Sequence, residues 1–221
     1  GVGNSSPYDR KLRSPGGGDN LFLASILALR PETGRLVWHY QTTPAENWDY
    51  TATQQMVLAD LELGGRVRRV LMQAPKNGFF YVLDAATGEF LKGNAYGALN
   101  WATGLDENGR PMEVAAARYG KTPHQQLPGP LGAHNWQPMA YSPETGYVYI
   151  PAISSLFQYE DVQDYFEMRP DENSPYMLLV APVKADKRLP VAEADQAKGL
   201  DKLKEVRSVV PAITHVDYSA R

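Results

Sequence analysis

The stretch Leu27–Trp38, LALRPETGRLVW, places a short polar turn ending in Thr33-Gly34 between two apolar runs. The same pattern returns in YVLDAATGEFL (Tyr81–Leu91) and in MAYSPETGYVYI (Met139–Ile150). Each stretch predicts a β-hairpin, because glycine supplies the positive φ of a tight turn and the flanking runs pack as strands. The three Thr-Gly pairs are 54 and 58 residues apart. A period of about 50 residues is typical of one four-stranded blade of a β-propeller.

Further strands are predicted between these hairpins. Gln55–Leu61 and Val67–Gln73 flank a Gly-Gly turn, and Gly78–Leu83 is rich in aromatic and β-branched residues. Polar segments heavy in Gly and Pro, at about 4–20 and 92–133, predict long loops. We therefore expect an all-β fold of about three blades with long loops.

The composition excludes several classes of function. The chain has 221 residues, 43% of them hydrophobic, and a net charge of −3, which gives no reason to expect nucleic acid or an anionic membrane surface as a partner. There is no cysteine, so a disulfide scaffold and a thiolate zinc site are excluded. No apolar run approaches the roughly 18 residues of a transmembrane helix. The chain begins with Gly1 instead of Met, and we interpret it as a fragment or processed piece.

Four short segments contain side chains suited to a polar site, although each alone also fits an ordinary turn or loop. Asp49 lies between two large aromatic residues, which can shield a carboxylate from water. Asn4 lies in a turn segment and can bind a hard cation through its amide oxygen. Lys76 precedes an Asn-Gly turn, and Gly132–Pro138 brings a histidine, an amide and an indole into one loop. The histidines of the chain are scattered, which argues against zinc.

Five segments together, in this order, resemble the alcohol dehydrogenases that depend on pyrroloquinoline quinone (PQQ). They are GNSSP (3–7), KLRSPGGGDNL (11–21), WDYT (48–51), APKNGFF (74–80) and GAHNW (132–136). The soluble quinohaemoprotein members look nearest, and the resemblance covers residues 1 to about 153. The Thr-Gly-x-x-x-Trp sequence that ends at Trp38 looks like the tryptophan-docking repeat that joins neighbouring blades in that fold.

The resemblance implies an eight-bladed propeller with PQQ buried near its axis and a Ca²⁺ ion on the quinone. It implies that Asn4 is a metal ligand and that Asp49 is the catalytic base, which in this group can also touch the metal. Lys76 matches the cation that hydrogen-bonds the quinone oxygens. Asn135 and Trp136 match residues beside the cofactor.

Other expectations from the resemblance concern the metal and the surroundings of the enzyme. Lanthanide-dependent relatives have a second Asp where this chain has Thr51, so Ca²⁺ is favoured over a trivalent ion. The family's metal-binding Glu, stacking Trp and vicinal Cys-Cys pair lie upstream and are absent here, and any haem c domain lies outside this chain. We expect small primary alcohols as substrates, cytochrome c or another electron acceptor, and a periplasmic location. We also expect this piece alone neither to bind PQQ tightly nor to turn over.

Two other interpretations are compatible with the repeats. One is a non-catalytic propeller that serves as a scaffold or binding protein, and the other is a PQQ enzyme for sugars or other polyols. The joint presence of Asn4, Asp49 and Lys76 favours an oxidoreductase that converts alcohols to aldehydes, because a scaffold has no need of them. The resemblance weakens over residues 154–221. We expect an inter-blade insertion there, with a short surface helix within Val183–Val206.

Overall fold

The structure is a computed structural model and describes residues 1–5 and 7–160. This part of the chain is built from antiparallel strands, with one short helix and one 3₁₀ turn. The elements are α1 (Arg10–Arg13), β1 (Ser25–Leu29), β2 (Leu36–Gln41), β3 (Met56–Leu63), β4 (Arg66–Gln73), β5 (Phe79–Asp84), β6 (Phe90–Ala95), β7 (Ala102–Leu105), β8 (Pro111–Glu113), the 3₁₀ turn Ala115–Ala117, β9 (His124–Gln126), β10 (Ala140–Tyr141), β11 (Val148–Tyr149) and β12 (Phe157–Tyr159).

Strands β3 to β6 form a four-stranded antiparallel sheet in sequence order, which is the architecture of a propeller blade. Strands β3 and β4 pair from Met56 opposite Gln73 to Leu63 opposite Arg66. Strand β5 is buried on both faces, because alternate side chains enter different core clusters. Tyr81 belongs to one cluster and Val82 to the other.

The three predicted Thr-Gly hairpins are confirmed. They are β1–β2, β5–β6 and β10–β11, and each turn contains a glycine with positive φ: 67° at Gly34, 76° at Gly88 and 73° at Gly146. Within the described residues, only the β5–β6 hairpin belongs to a four-stranded sheet, whereas the other two stand as two-stranded sheets. The fold is therefore an open part of a propeller.

Trp38 joins the first hairpin to the four-stranded sheet. Its indole Nε1 donates a hydrogen bond of 3.2 Å to the carbonyl of Ala85, in the turn between β5 and β6. Its ring lies so close to Gly88 that a Cβ at this glycine would be 2.6 Å from Trp38 Cε3. This geometry confirms the expectation that Trp38 docks against a neighbouring repeat.

The segment 92–133 differs from the long loop that its polar composition predicts. It contains the end of β6, the β7–β8 hairpin and β9, which are too short to show a strand periodicity. Strand β9 pairs with β12, so residues 157–159 are part of the folded unit. Residues 161–221, with the predicted insertion and its helix, lie outside the described residues. No helix of the described part is long and apolar enough to cross a membrane.

An aromatic core lies beneath the connection between β2 and β3. The rings of Trp48 and Trp101 have centroids 5.0 Å apart, and the Tyr50 ring lies 5.3 Å from that of Trp101. All three side chains are fully buried. The hydroxyl of Tyr50 donates to the carbonyl of Pro128 and accepts a hydrogen bond from the Gln126 amide, so this core connects the segments on which the candidate residues lie.

Candidate functional site

Asp49 and Lys76 meet in the structure. The Lys76 Nζ atom lies 3.1 Å from Asp49 Oδ2, although the two residues are 27 positions apart. The Lys76 side chain is 11% exposed and the Asp49 side chain is 21% exposed. Asp49 lies between β2 and β3, and Lys76 lies in the turn between β4 and β5. A partly shielded, charge-assisted hydrogen bond of this kind is stronger than one on an open surface.

The turn that presents Asp49 has an unusual backbone. Asp49 itself has a φ of 65°, a left-handed conformation that few residues other than glycine adopt. Glu46 bridges this turn, because its Oε1 atom accepts hydrogen bonds from the backbone N–H groups of Trp48 at 2.5 Å and Tyr50 at 2.7 Å. The side chain of Glu46 thus binds the N–H groups of the residues before and after Asp49.

Glu46 is fully buried. Burial raises the pKa of its carboxyl group to about 7, against the opposing effects of the two backbone hydrogen bonds and the positive charge of Arg13. Its second oxygen, Oε2, is buried without a hydrogen-bond partner among the described residues. The negative charge of Asp49 also contributes to the raised pKa.

The Gly132–Trp136 motif braces Lys76. A Cβ at Gly132 would lie 2.5 Å from Lys76 Cγ, so only glycine fits against this lysine stem. The backbone N–H of Ala133 donates to the Lys76 carbonyl at 2.9 Å. The ring nitrogens of the buried His134 lie 2.6 Å from the carbonyl oxygens of Ala74 and Gln137. Half of the motif therefore positions Lys76.

The last two residues of the motif, Asn135 and Trp136, have other surroundings. The Asn135 side chain donates to the carbonyl of Leu131 at 2.9 Å. Trp136 is 74% exposed, which is high for a residue of its size. The expected roles of Asn135 and Trp136 beside a cofactor stay predictions.

Asn4 lies on a segment that runs beside the turn of Asp49. The Ala52 N–H donates to the carbonyl of Val2 at 3.2 Å, and a Cβ at Gly3 would lie 3.9 Å from Cγ2 of Thr51. The Nδ2 atom of Asn4 is buried and has no hydrogen-bond partner among the described residues. A buried NH₂ group without a protein partner is free to donate a hydrogen bond to a bound molecule.

The donor set fits part of a calcium site. Asn4 and Asp49 supply amide and carboxylate oxygens, which are ligands that Ca²⁺ prefers, but this ion takes six to eight of them. The described residues contain no group of three His, Cys, Asp or Glu side chains placed to hold a metal. Asn4 and Asp49 would therefore provide only part of the coordination of such an ion.

Two residues near Asp49 were not identified from the sequence. The first is Tyr8, whose hydroxyl has a raised pKa. The causes are burial, then the charge of Asp49 and a hydrogen bond to its carboxylate. Glu46 was missed because an acidic residue three positions before Asp49 gives no periodic signal. Its hydrogen bonds to the second and fourth following residues depend on a turn that only the fold defines.

Comparison with known proteins gives a consistent result. Residues 4–93 match the family model of the glucose/ethanol/alcohol dehydrogenase β-propeller domain that is named for PQQ. The quinohemoprotein alcohol dehydrogenase of Comamonas testosteroni is 56% identical over 152 residues, which are 69% of this chain and 22% of that protein. The 1-butanol dehydrogenase (cytochrome c) of Thauera butanivorans is 49% identical over 169 residues, or 76% of this chain and 24% of the relative.

Solved structures show the same architecture. The crystal structure of the Comamonas testosteroni enzyme aligns with a TM-score of 0.72 and 52% identity, covering 74% of this chain and 24% of that one. A europium-containing methanol dehydrogenase aligns with a TM-score of 0.65 and 36% identity, covering 68% of this chain and 26% of that one. The chain thus spans about a quarter of the length of these relatives. From its sequence and its fold, the chain belongs to the family of PQQ-dependent alcohol dehydrogenases and represents a part of their β-propeller domain.

Proposed function

We propose that this chain supplies part of the catalytic site of an enzyme that oxidises alcohols to aldehydes with PQQ as the hydride acceptor. The observation that supports this most directly is the contact between Lys76 and Asp49. A carboxylate and an ammonium group, held together in a partly shielded site on two different turns, are suited to proton transfer and to stabilising negative charge.

Asp49 would act as the general base. Its carboxylate would take the hydroxyl proton of the alcohol. The carbon that bears this hydroxyl group would lose a hydride, with both electrons of its C–H bond. A C=O bond then forms and aldehyde is released. When bound, PQQ would supply the hydride acceptor, and Ca²⁺ would supply a Lewis acid.

Lys76 would act on both Asp49 and the quinone in this proposal. Its ammonium group already lies 3.1 Å from Asp49 Oδ2, so a cation faces the carboxylate that would act as the base. The same positive charge would face the quinone oxygens and stabilise the charge that develops there. Gly132 and Ala133 fix the lysine stem and backbone, so the ammonium group is held in place before substrate arrives.

Asn4 and Asp49 would contribute the metal ligands of this chain. The amide oxygen of Asn4 is a ligand type that Ca²⁺ prefers, and its segment runs beside the turn of Asp49. We propose Ca²⁺ as the ion, because Thr51 offers a hydroxyl where an additional carboxylate would favour a trivalent ion. The Thr51 Oγ1 atom lies within 3.1 Å of Thr53 Oγ1 and receives a hydrogen bond from Gln54, so it has partners without a metal.

The proposed substrates and partners follow the names of the relatives. Alcohol dehydrogenases and a 1-butanol dehydrogenase that uses cytochrome c are among them, which supports small primary alcohols as substrates and a cytochrome c as electron acceptor. We propose a periplasmic location for the complete enzyme. The isolated chain is expected neither to bind PQQ tightly nor to oxidise ethanol, since it provides an open part of a ring.

A chimeric enzyme tests this proposal. In the Comamonas testosteroni alcohol dehydrogenase, the matched segment is replaced by the corresponding 152 residues of this chain, and dye-linked ethanol oxidation is measured with PQQ and Ca²⁺. Asp49→Asn is expected to lower kcat about 10²- to 10⁴-fold, which is the usual contribution of a general base. The matched control is Asp60→Asn, which removes a carboxylate of an exposed surface pair.

The lysine is tested in the same chimera. Lys76→Met is expected to lower kcat strongly, whereas Lys92→Met, at an exposed position of β6, should leave it unchanged. A calorimetric Ca²⁺ titration of the apo-chimera gives a readout apart from turnover, and Asn4→Ala should weaken Ca²⁺ binding. Full activity of Asp49→Asn would refute the assignment of Asp49 as base.

A further inference from the structure

The turn that contains Asp49 combines two unfavourable backbone conformations. Ala45 has a φ of 49° and Asp49 a φ of 65°, and neither is a glycine. Left-handed conformations of such residues persist only when surrounding contacts determine them, and they concentrate at functional sites. The contacts that hold this turn therefore decide where the Asp49 carboxylate points.

Side-chain donors hold the turn from outside. Four consecutive backbone carbonyls, from residue 45 to residue 48, each accept a hydrogen bond from a distant side chain. The pairs are Ala45 O with Arg118 Nη1, Glu46 O with Arg13 Nη2, Asn47 O with Tyr119 Oη, and Trp48 O with Tyr159 Oη. The last of them, from Tyr159, holds the peptide group that joins Trp48 to Asp49, but none of the four contacts orients the peptide group that follows Asp49.

Glu46 provides that orientation from inside the turn. Its Oε1 atom is the acceptor for the N–H of Trp48 at 2.5 Å and for the N–H of Tyr50 at 2.7 Å. These N–H groups belong to the residues on either side of Asp49, so one carboxylate oxygen ties the Asn47–Trp48 peptide plane to the Asp49–Tyr50 peptide plane across the turn. Glu46 is fully buried, which excludes water as a ready substitute acceptor.

We propose that Glu46 is a positioning residue for Asp49: by binding both flanking N–H groups, it holds Asp49 in the left-handed conformation that directs its carboxylate towards Lys76. Glu46 acts through the backbone and touches neither substrate nor cofactor. The inference rests on the proposed function of Asp49 and deepens it. Displacement of a base by about 1 Å can lower a rate about 100-fold, so the orienting contact matters for turnover.

The experiment compares two substitutions of similar length in the chimeric holoenzyme. Glu46→Gln keeps an oxygen that can accept both hydrogen bonds, whereas Glu46→Met has none. We expect Glu46→Gln to keep kcat close to that of the unsubstituted chimera, and Glu46→Met to lower it about 100-fold with little change in KM. Equal rates for the two variants would overturn the proposal.

A double-substitution cycle separates positioning from general destabilisation. In the Asp49→Asn background the base is already lost, so Glu46→Met should lower the rate no further. If Glu46 only stabilises the fold, Glu46→Met lowers the rate of Asp49→Asn by the same factor as that of the unsubstituted chimera, and the proposal is refuted. Should Glu46→Met not fold, Glu46→Thr takes its place, because its short hydroxyl cannot reach both N–H groups.

Calcium affinity gives a readout that does not depend on turnover. Loss of a residue that orients a metal ligand usually weakens metal binding about 10- to 100-fold, and we expect this for Glu46→Met but not for Glu46→Gln in a Ca²⁺ titration of the apo-chimera. If Asp49→Asn proves fully active, the proposed role of Asp49 as base fails. The Ca²⁺ titration then still tests Glu46, since equal affinities of the two variants would show that it does not position Asp49.

Discussion

Replacement of Gly88 by alanine would test the contact that joins the first hairpin to the four-stranded sheet. Two effects add at this position. The φ of 76° is unfavourable for any residue with a Cβ, and the new methyl group would lie 2.6 Å from Trp38 Cε3 and 2.7 Å from Cδ2. Gly34 offers a matched control, because it has a φ of 67° in an equivalent Thr-Gly turn but no atom within 4 Å of the position that a Cβ would occupy.

The two substitutions are expected to differ by the packing effect alone. A left-handed conformation costs an alanine about 1–2 kcal/mol, and Gly34→Ala should lower the free energy of unfolding by that amount. Insertion of a methyl group into a packed contact costs about 1–3 kcal/mol more. Gly88→Ala should therefore lower the free energy of unfolding by about 2–5 kcal/mol, since the indole cannot withdraw without losing its hydrogen bond to Ala85.

Urea unfolding of the chimera, followed by far-UV circular dichroism, measures both effects. A Trp38→Ala substitution removes the ring, so in that background Gly88→Ala and Gly34→Ala should become equally destabilising. If the two glycine substitutions lower the free energy of unfolding equally with Trp38 present, the ring is not in close contact with Gly88. That result would refute the docking contact.

Two further predictions concern pH and the exposed indole. The folded-state pKa of Glu46, about 7, lies above its ordinary value of 4.5, so its contribution to stability is fully present below about pH 4.5 and is lost as pH rises through 7. In urea unfolding with EDTA, the free energy of unfolding of Glu46→Gln should therefore exceed that of the unsubstituted chimera by up to about 3 kcal/mol at pH 8 and should equal it at pH 4. An equal difference at both pH values would contradict this. For Trp136, PQQ added to the apo-chimera should quench tryptophan fluorescence, and Trp136→Phe should remove the share of the quenching that comes from this indole; unchanged quenching would place the indole away from the cofactor.

The hairpins could be predicted from the sequence because their information is local. A glycine at the turn and apolar residues on both sides define a hairpin without reference to the rest of the chain, and all three Thr-Gly turns have the expected positive φ. The prediction of a long loop over 92–133 was wrong because β9 has three residues and depends on pairing with β12, more than 30 positions later. Its stability comes from a partner that no local pattern reveals.

The candidate site divides in the same way. Asp49 and Lys76 were identified from motifs, but their 3.1 Å contact depends on the packing of two turns over a shared aromatic core. The part of Gly132–Trp136 that supports Lys76 was expected to lie in a loop, and its function as a brace follows only from the close approach of Gly132 to the lysine stem.

The β-rich class can be predicted from the amino-acid sequence, as can the positions of the repeats and the residue types suited to calcium and quinone chemistry, because turn preference and side-chain chemistry are properties of short segments. Two contacts could be seen only in the folded chain: Glu46 binds the N–H groups of the residues before and after Asp49, and Trp38 packs on Gly88. Those contacts depend on directions in space: a carboxylate becomes an orienting group when burial removes competing water and the fold aims two N–H groups at one oxygen.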